Sequence, residues 1–284
     1  MPPQVDTRVL DETKLQAFVE KAVGEFGVAM SAALVSLGDR LGLYKAMAHA
    51  GPMTPKDLAA KTGTGERLVR EWMVNQAASG NLEYDPASGK YTLPQEHALA
   101  LADDASPYFV AGGYQIVTAL VKAEERIARA FQNGGGMFWG EHDHGLFEGT
   151  ERFFRPNYVA NLVSSWIPAL DGVEEKLKAG AIVADVGCGH GASTILMARA
   201  FPKSRFFGFD NHAPSIGHAR RSADDAGLFT QVTFEVSPAV SFPGHRYDLI
   251  AFFDCLHDMG DPLGALRHAH EALAADGTVM LVEP

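Results

Sequence analysis

Cysteine is scarce in this 284-residue chain. Only Cys188 and Cys255 occur, too few for a disulfide framework and consistent with a reducing compartment. Positive charge is short as well, with 24 Lys and Arg against 35 Asp and Glu and a formal charge of −11. Such a chain repels phosphate backbones and anionic lipid surfaces, so a nucleic-acid role requires a local basic patch. Long apolar runs are missing too. The longest, Val28 to Leu37, is broken by Ser31 and Ser36 and is too short to span a bilayer. The opening MPPQVDTRVLDETK has no apolar stretch behind basic residues, so it does not read as a secretory signal. These shortages imply a cytoplasmic protein with no membrane partner. Hydrophobic residues at 46% and charged residues at 21% lie near the globular average, which excludes a disordered chain. At roughly 150 residues per domain the length allows a little under two domains.

Leu15, Phe18, Val19, Ala22, Val23 and Phe26 recur at helical spacing, and the stretch on to Leu37 is apolar on nearly every face. Such a helix calls for burial, for instance against a second copy of itself. Thr54-Pro55-Lys56-Asp57 reads as an N-cap, a first helical residue and an acidic first turn. Thr64 is a second N-cap candidate, opening a helix with Leu68, Trp72 and Met73 on one face. Gly80–Tyr84 and Lys90–Leu93 flank a turn-rich Asp85-Pro86-Ala87-Ser88-Gly89, the pattern of a hairpin. Helix, short helix, longer helix, hairpin is the order of a winged helix-turn-helix. Residues 41–100 carry six basic and six acidic side chains, and the candidate recognition helix sets Glu66 and Glu71 beside Arg67 and Arg70. That balance favours a packing or dimerisation module over a DNA reader.

A helical stretch over about 106–131 leads into Asn133-Gly134-Gly135-Gly136, a loop. The segment Met137 to Gly145 is rich in aromatics and histidines, and helices over about 151–168 and 170–179 come next. His142 and His144 are separated by one residue with no further ligand cluster in the sequence, so a polar lid is favoured and no metal is expected. Phe138, Trp139, His142 and Phe147 are candidates for an acceptor pocket or lid.

From residue 181 apolar strands alternate with helices, which makes a parallel sheet covered on both faces. The first strand ends in Asp185-Val186-Gly187-Cys188-Gly189-His190-Gly191. Glycines at every second position let the chain turn sharply into a helix and let a ligand lie on its amides. Asp210, nineteen residues past Gly191 at the end of the second strand, can accept from both hydroxyls of a ribose. Gly187, Gly189 and Ala192 also satisfy the dinucleotide pattern G-x-G-x-x-G/A, so NAD is a rival ligand. Three features favour S-adenosylmethionine. Asp185 suits an ammonium and repels a pyrophosphate; the glycines run on to Gly191 as D-x-G-x-G-x-G; and the fourth strand runs into the polar cluster Asp254-Cys255-Leu256-His257-Asp258.

These residues resemble the class I S-adenosylmethionine-dependent methyltransferases over roughly 181–284. With the winged helix added, the chain resembles the small-molecule O-methyltransferases of plants and bacteria. The resemblance implies an α/β fold, a doubly wound Rossmann-like methyltransferase sheet preceded by a mostly helical winged-helix domain. It also implies S-adenosylmethionine as cofactor, S-adenosylhomocysteine as product and a homodimer formed through the N-terminal helices. His257 in His257-Asp258-Met259 takes the place of the family's general base, with Met where the family has an aromatic residue, and Glu283 falls where a glutamate orients that histidine. Asp258 is a further catalytic candidate. For the cofactor, Gly187 and Gly189 supply backbone, Asp185 a charge partner or backbone anchor and Asp210 the ribose acceptor. Asn211 or His212 flanks the adenine, and Phe253 and Asp254 stand at the mouth of the fourth strand. Ser237-Pro238 replaces the acidic residue that often helps to hold the adenosine.

The expected division is 1–105 winged-helix dimerisation domain, 106–180 helical linker and lid, and 181–284 cofactor-binding domain. The 104 residues from Ala181 to Pro284 leave no room for the two further strands usual in this fold. A fifth strand with an open apolar edge is an aggregation hazard, so on the order of 60 further residues are expected beyond this sheet, which is C-terminally incomplete as given. A rival function of another class is a ligand-responsive transcription regulator that keeps the cofactor site as a sensor.

Overall fold

The computed structural model describes residues 10–284, in two compact units, Met1–Ala98 and Leu99–Pro284. Among the described residues no helix is long and apolar enough to cross a membrane.

The first unit opens with α1 (Glu12–Arg40), capped by Asp11, whose side chain accepts from the Lys14 N–H. Toward its C-terminal end α1 presses on the unit's core. A Cβ built on Gly38 would lie 2.5 Å from the Trp72 ring, and the Trp72 indole donates to the Leu34 carbonyl at 2.9 Å. Phe18, Val23 and Phe26, earlier on α1, are each about two-thirds exposed. After α2 (Leu43–Met47) comes α3 (Pro55–Thr62), which starts with the expected Thr54 cap and Pro55, closed into a capping box: Thr54 accepts from the Asp57 N–H and Asp57 from the Thr54 N–H. The next helix, α4 (Glu66–Ala78), corrects two expectations. Its N-cap is Gly65, one residue later than expected, with no side-chain cap, and the Thr64 hydroxyl lies 2.8 Å from that of Thr62. Leu68 is 76% exposed; the inward face is Val69, Trp72, Met73 and Gln76, one residue further round the helix. Buried Gln76 is a polar hub, accepting from the Tyr44 hydroxyl at 2.5 Å and from Asn81 at 2.8 Å, so its carbonyl oxygen is not stranded in this small core. The antiparallel pair β1 (Glu83–Asp85) and β2 (Lys90–Thr92) forms the wing. Helix α5 (Gln95–Leu101) runs across the boundary between the units.

The second unit begins with α6 (Ala111–Lys122), α7 (Glu124–Asn133) and α8 (His144–Asn161). A wide turn at Leu162–Trp166 leads to α9 (Val173–Ala179). Then comes the sheet: β3 (Ile182–Val186), α10 (Ala192–Ala200), β4 (Arg205–Asp210), α11 (Ala213–Asp225), β5 (Val232–Val236), β6 (Tyr247–Phe253), α12 (Pro262–Ala272) and β7 (Leu273–Val282). All five strands are parallel, in the order β5-β4-β3-β6-β7. The period-2 alternation of the strands splits the core in two. Val183, Leu249, Ala251 and Phe253 face one side with Leu177, Met197 and Ile216. Ala184, Val186, Ile250 and Phe252 face the other with Ala265 and Ala269 of α12. The order reverses between β3 and β6, and in open α/β sheets the crevice outside the strand ends at such a point takes the ligand.

Candidate active site

The loop after β3 turns on three glycines, Gly187, Gly189 and Gly191, with φ of 76°, 53° and 81°, a region that L side chains adopt only under strain. At Gly187 space is closed as well, since a Cβ there would sit 2.6 Å from Cys255 Sγ. The loop is tied to β4, where the Phe209 carbonyl accepts from the Gly187 and Cys188 N–H groups at 2.7 and 3.0 Å. Asp210, at the end of β4, completes the clamp. Its Oδ2 accepts from the Gly189 N–H at 2.9 Å and its Oδ1 from the His212 N–H at 2.8 Å. Each oxygen keeps a lone pair for a further donor. Burial lifts the Asp210 pKa despite these two bonds.

Asp185 is fully buried, and burial raises its pKa to about 6 against the pull of two hydroxyls. Oδ2 accepts from Ser193 and Thr194 of α10, both at 2.6 Å, while Oδ1 has no partner among the described residues. The hydrogen bonds that hold Asp185 thus come from helix hydroxyls where a backbone anchor was expected, and the charge-partner reading is left to the second oxygen.

The chain leaves β6 through Asp254, a non-glycine residue at φ 51° whose N–H donates to the Val282 carbonyl of β7. The Cys255 thiol donates to the Val186 carbonyl at 3.1 Å, which brings the start of the polar cluster onto the glycine loop. Both cysteines are free, and burial pushes both thiols well above their usual range. Glu283, just past β7, organises the segment from Cys255 to His257. Its Oε1 accepts from the Cys255 and Leu256 N–H groups at 3.2 and 3.0 Å, and its Oε2 lies 2.5 Å from His257 Nδ1. Burial opposes the Glu283 charge, but the bonds from His257 and the backbone outweigh it and hold the carboxyl below its ordinary value. In return the Glu283 bond, more than the nearby Asp258 and Asp254, raises His257. The other ring nitrogen, His257 Nε2, lies 3.5 Å from Asp258 Oδ2.

The remaining expected residues fall in several places. Phe253 is buried in the core, its ring 5.4 Å from Tyr158, and Asn211 is exposed. His212 stacks on Phe147 with centroids 4.3 Å apart, and Trp139 meets Phe147 edge-on at 5.5 Å. Trp139 and Phe147 therefore gather at the end of β4, whereas His257 comes after β6, on the opposite side of β3. Phe138 is 81% exposed, and His142 Nδ1 is buried with no partner among the described residues.

Sequence reasoning passed over four residues that the fold brings to this region. Tyr158 of α8 has its phenol pushed up by burial and then by the charges of Asp185 and Asp254. Glu151 of α8 lies 3.0 Å from His190 of the glycine loop, and His190 stacks on His218 of α11. Only His190 carried a signal, a bulky ionisable side chain inside a run of glycines. The other three lie on helices where nothing local marks them.

Two family models match the chain. Residues 29–103 match an Rv2258c-like winged HTH domain and residues 177–284 a methyltransferase domain. No curated protein matches the sequence. Among solved structures, the mitomycin 7-O-methyltransferase MmcR is similar at TM-score 0.70 and 22% identity, over 95% of this chain and 81% of that one. CalO1, a methyltransferase in calicheamicin biosynthesis solved with SAH bound, is similar at 0.64 and 21%, over 96% and 81%. Human N-acetylserotonin methyltransferase, solved with SAM, is similar at 0.64 and 16%, over 99% and 81%. Likeness at these identities establishes the shared fold, a Rossmann-like sheet behind a helical N-terminal region. The two family matches give the chain a methyltransferase domain preceded by a winged helix-turn-helix domain.

Proposed function

We propose that this protein transfers a methyl group from S-adenosylmethionine to a hydroxyl of a small molecule, aromatic or polyketide-like, with His257 as general base. The observation that carries the reading is the bond between Glu283 Oε2 and His257 Nδ1, on a segment whose first residue, Cys255, touches the glycine loop. The residues present fit the donor. Asp210 has two lone pairs for ribose hydroxyls, the space over Gly189 is open, with nothing within 4 Å of a Cβ built there, and Asp185 Oδ1 is an orphaned buried oxygen of the sign that a cationic amino group satisfies. When bound, S-adenosylmethionine supplies an electrophilic methyl group on a sulfonium.

The chain's own part is positioning and proton handling. Glu283 holds the Nδ1 proton of His257 and leaves the Nε2 lone pair to face an acceptor hydroxyl. A phenol near pKa 10 would lose its proton to an ordinary imidazole at a cost of about 5 kcal/mol, so His257 takes the proton as attack proceeds. Raising the imidazole's basicity, as Glu283 does, reduces that cost. Asp258, 3.5 Å from Nε2, holds a cationic ring once the proton has arrived. Hydroxyl as acceptor also draws on the 7-O-methyltransferase among the structural relatives.

The same reading divides the chain into a winged-helix dimerisation part to residue 105, a lid to 180 and a donor-binding part beyond. Two copies pair through the exposed Phe18, Val23 and Phe26 of α1, and the protein works in the cytoplasm. A regulator that reads DNA is disfavoured, because Arg67 and Arg70 of α4 are already paired with Glu71 and Glu66. The test is incubation of S-adenosylmethionine with a panel of phenols and hydroxyquinones, tracking S-adenosylhomocysteine release. Donor binding without turnover on any hydroxyl, together with turnover on amines, would overturn the acceptor class.

A further inference from the structure

Two helices beside the glycine loop and the loop itself converge on one carboxylate oxygen. Glu151 Oε2 of α8 lies 3.0 Å from His190 Nδ1 in the loop and 3.9 Å from His218 Nε2 of α11. All three ligand atoms lie within 4.8 Å of one another. The two imidazoles are stacked, with centroids 4.0 Å apart and planes 16° from parallel. Only the His190 contact is of hydrogen-bond length, so His218 brings a ring nitrogen to the cluster that the carboxylate does not satisfy. The His190 side chain is 3% exposed and that of Glu151 22%, so two of the three groups are held largely out of water.

We propose that Glu151, His190 and His218 form a binding site for a divalent transition-metal ion of the zinc class, separate from the methyl-transfer chemistry. Two imidazole nitrogens and one carboxylate oxygen are a donor set that suits Zn²⁺, Co²⁺ or Ni²⁺, whereas Mg²⁺ and Ca²⁺ prefer oxygen. Around a tetrahedral ion with bonds of about 2.0–2.2 Å, neighbouring ligand atoms lie about 3.3 Å apart, a value between the two separations at Glu151. Parallel rings direct their lone pairs side by side, so coordination requires one ring to turn. His218, with 41% of its side chain exposed, has room to do so, whereas His190 does not. The fourth position then opens on the solvent side of His218, where a water completes the shell. An ion here would fasten α8 and α11 to the loop between Gly189 and Gly191. Its binding and that of a ligand lying on the loop are therefore linked, each changing the other's affinity by the same factor.

The experiment uses the full chain without an affinity tag, stripped by a chelator. Zn²⁺ is titrated by calorimetry and Co²⁺ by visible absorption, which reports ligand geometry and does not depend on enzyme activity. The expected result is one equivalent of Zn²⁺, tetrahedral Co²⁺ bands and no heat with Mg²⁺. His218→Ala and Glu151→Gln should each weaken Zn²⁺ by about tenfold or more, while exposed His270→Ala should leave it unchanged. His218 is half exposed, so His218→Ala remains informative if Glu151→Gln fails to fold. Absence of stoichiometric binding, or equal affinity in His218→Ala and the parent, would overturn the site.

Discussion

Glu283 grips His257 through its ring and steadies the peptide that leads to it. One carboxylate oxygen lies 2.5 Å from Nδ1 while the other accepts from the N–H groups of Cys255 and Leu256. Ring orientation and loop path are thus fixed by one side chain from the neighbouring strand. His257→Ala should leave S-adenosylhomocysteine affinity within about twofold and lower kcat by about 10²–10⁴-fold, the usual worth of a general base. Calorimetry and single-turnover assays read the two quantities separately. Retained turnover would remove His257 from the chemistry.

The same pair should set the pH profile. Glu283 raises the His257 pKa above its ordinary 6.5, so the base form, and with it kcat, should grow as pH rises through a midpoint above that value. In Glu283→Gln the amide still accepts a hydrogen bond but carries no charge, and the midpoint should move down. A midpoint unchanged between the two would mean that another group limits the acid side.

Asp210→Ala removes the proposed ribose acceptor together with the two backbone bonds to Gly189 and His212. Loss of charge-assisted hydrogen bonds should weaken S-adenosylhomocysteine by about 1.5–3 kcal/mol. Calorimetry gives the difference directly, and unchanged affinity would place the ribose elsewhere.

Much of this architecture was legible because its signals are local. Glycine spacing marks the loop, Thr54-Pro55 starts α3 as a cap and first residue should, and apolar runs mark the parallel strands. Thr64 failed as a cap because the helix starts one residue later, on Gly65. Leu68 failed because a short helix fixes its inward face only through tertiary contacts. The Glu151–His190–His218 cluster joins residues up to 67 positions apart, and the Phe147–His212 stack joins residues 65 apart. Pairings at such separations exist only once β3, β4 and the helices around them are assembled.

Gly38 supplies a stability test confined to the first unit. A methyl group there would penetrate the Trp72 ring, which is itself held by the Leu34 carbonyl. Gly38→Ala should destabilise this unit by about 1–3 kcal/mol through overpacking, even though alanine is the better helix former. Denaturant unfolding monitored by tryptophan fluorescence checks it. A stabilised variant would show that α1 is less tightly seated on α4.

Asp185 makes folding depend on pH in the sense opposite to a salt-bridged carboxylate. Its folded pKa of about 6 lies above the ordinary 3.8, so between those values the folded chain holds a proton that the unfolded chain releases. The stability it contributes is complete below about pH 4 and is lost as pH rises through 6, a change of about 3 kcal/mol for a shift of this size. Asp185→Asn cannot ionise and should show no such loss. The difference in unfolding free energy between Asp185→Asn and the parent should therefore move in favour of the variant by up to about 3 kcal/mol from pH 4 to pH 7. Comparing the two proteins cancels the other titrating groups. A difference that stays flat across this range would mean that Oδ1 is solvated or paired in solution, and that the buried oxygen is not waiting for a cationic ligand.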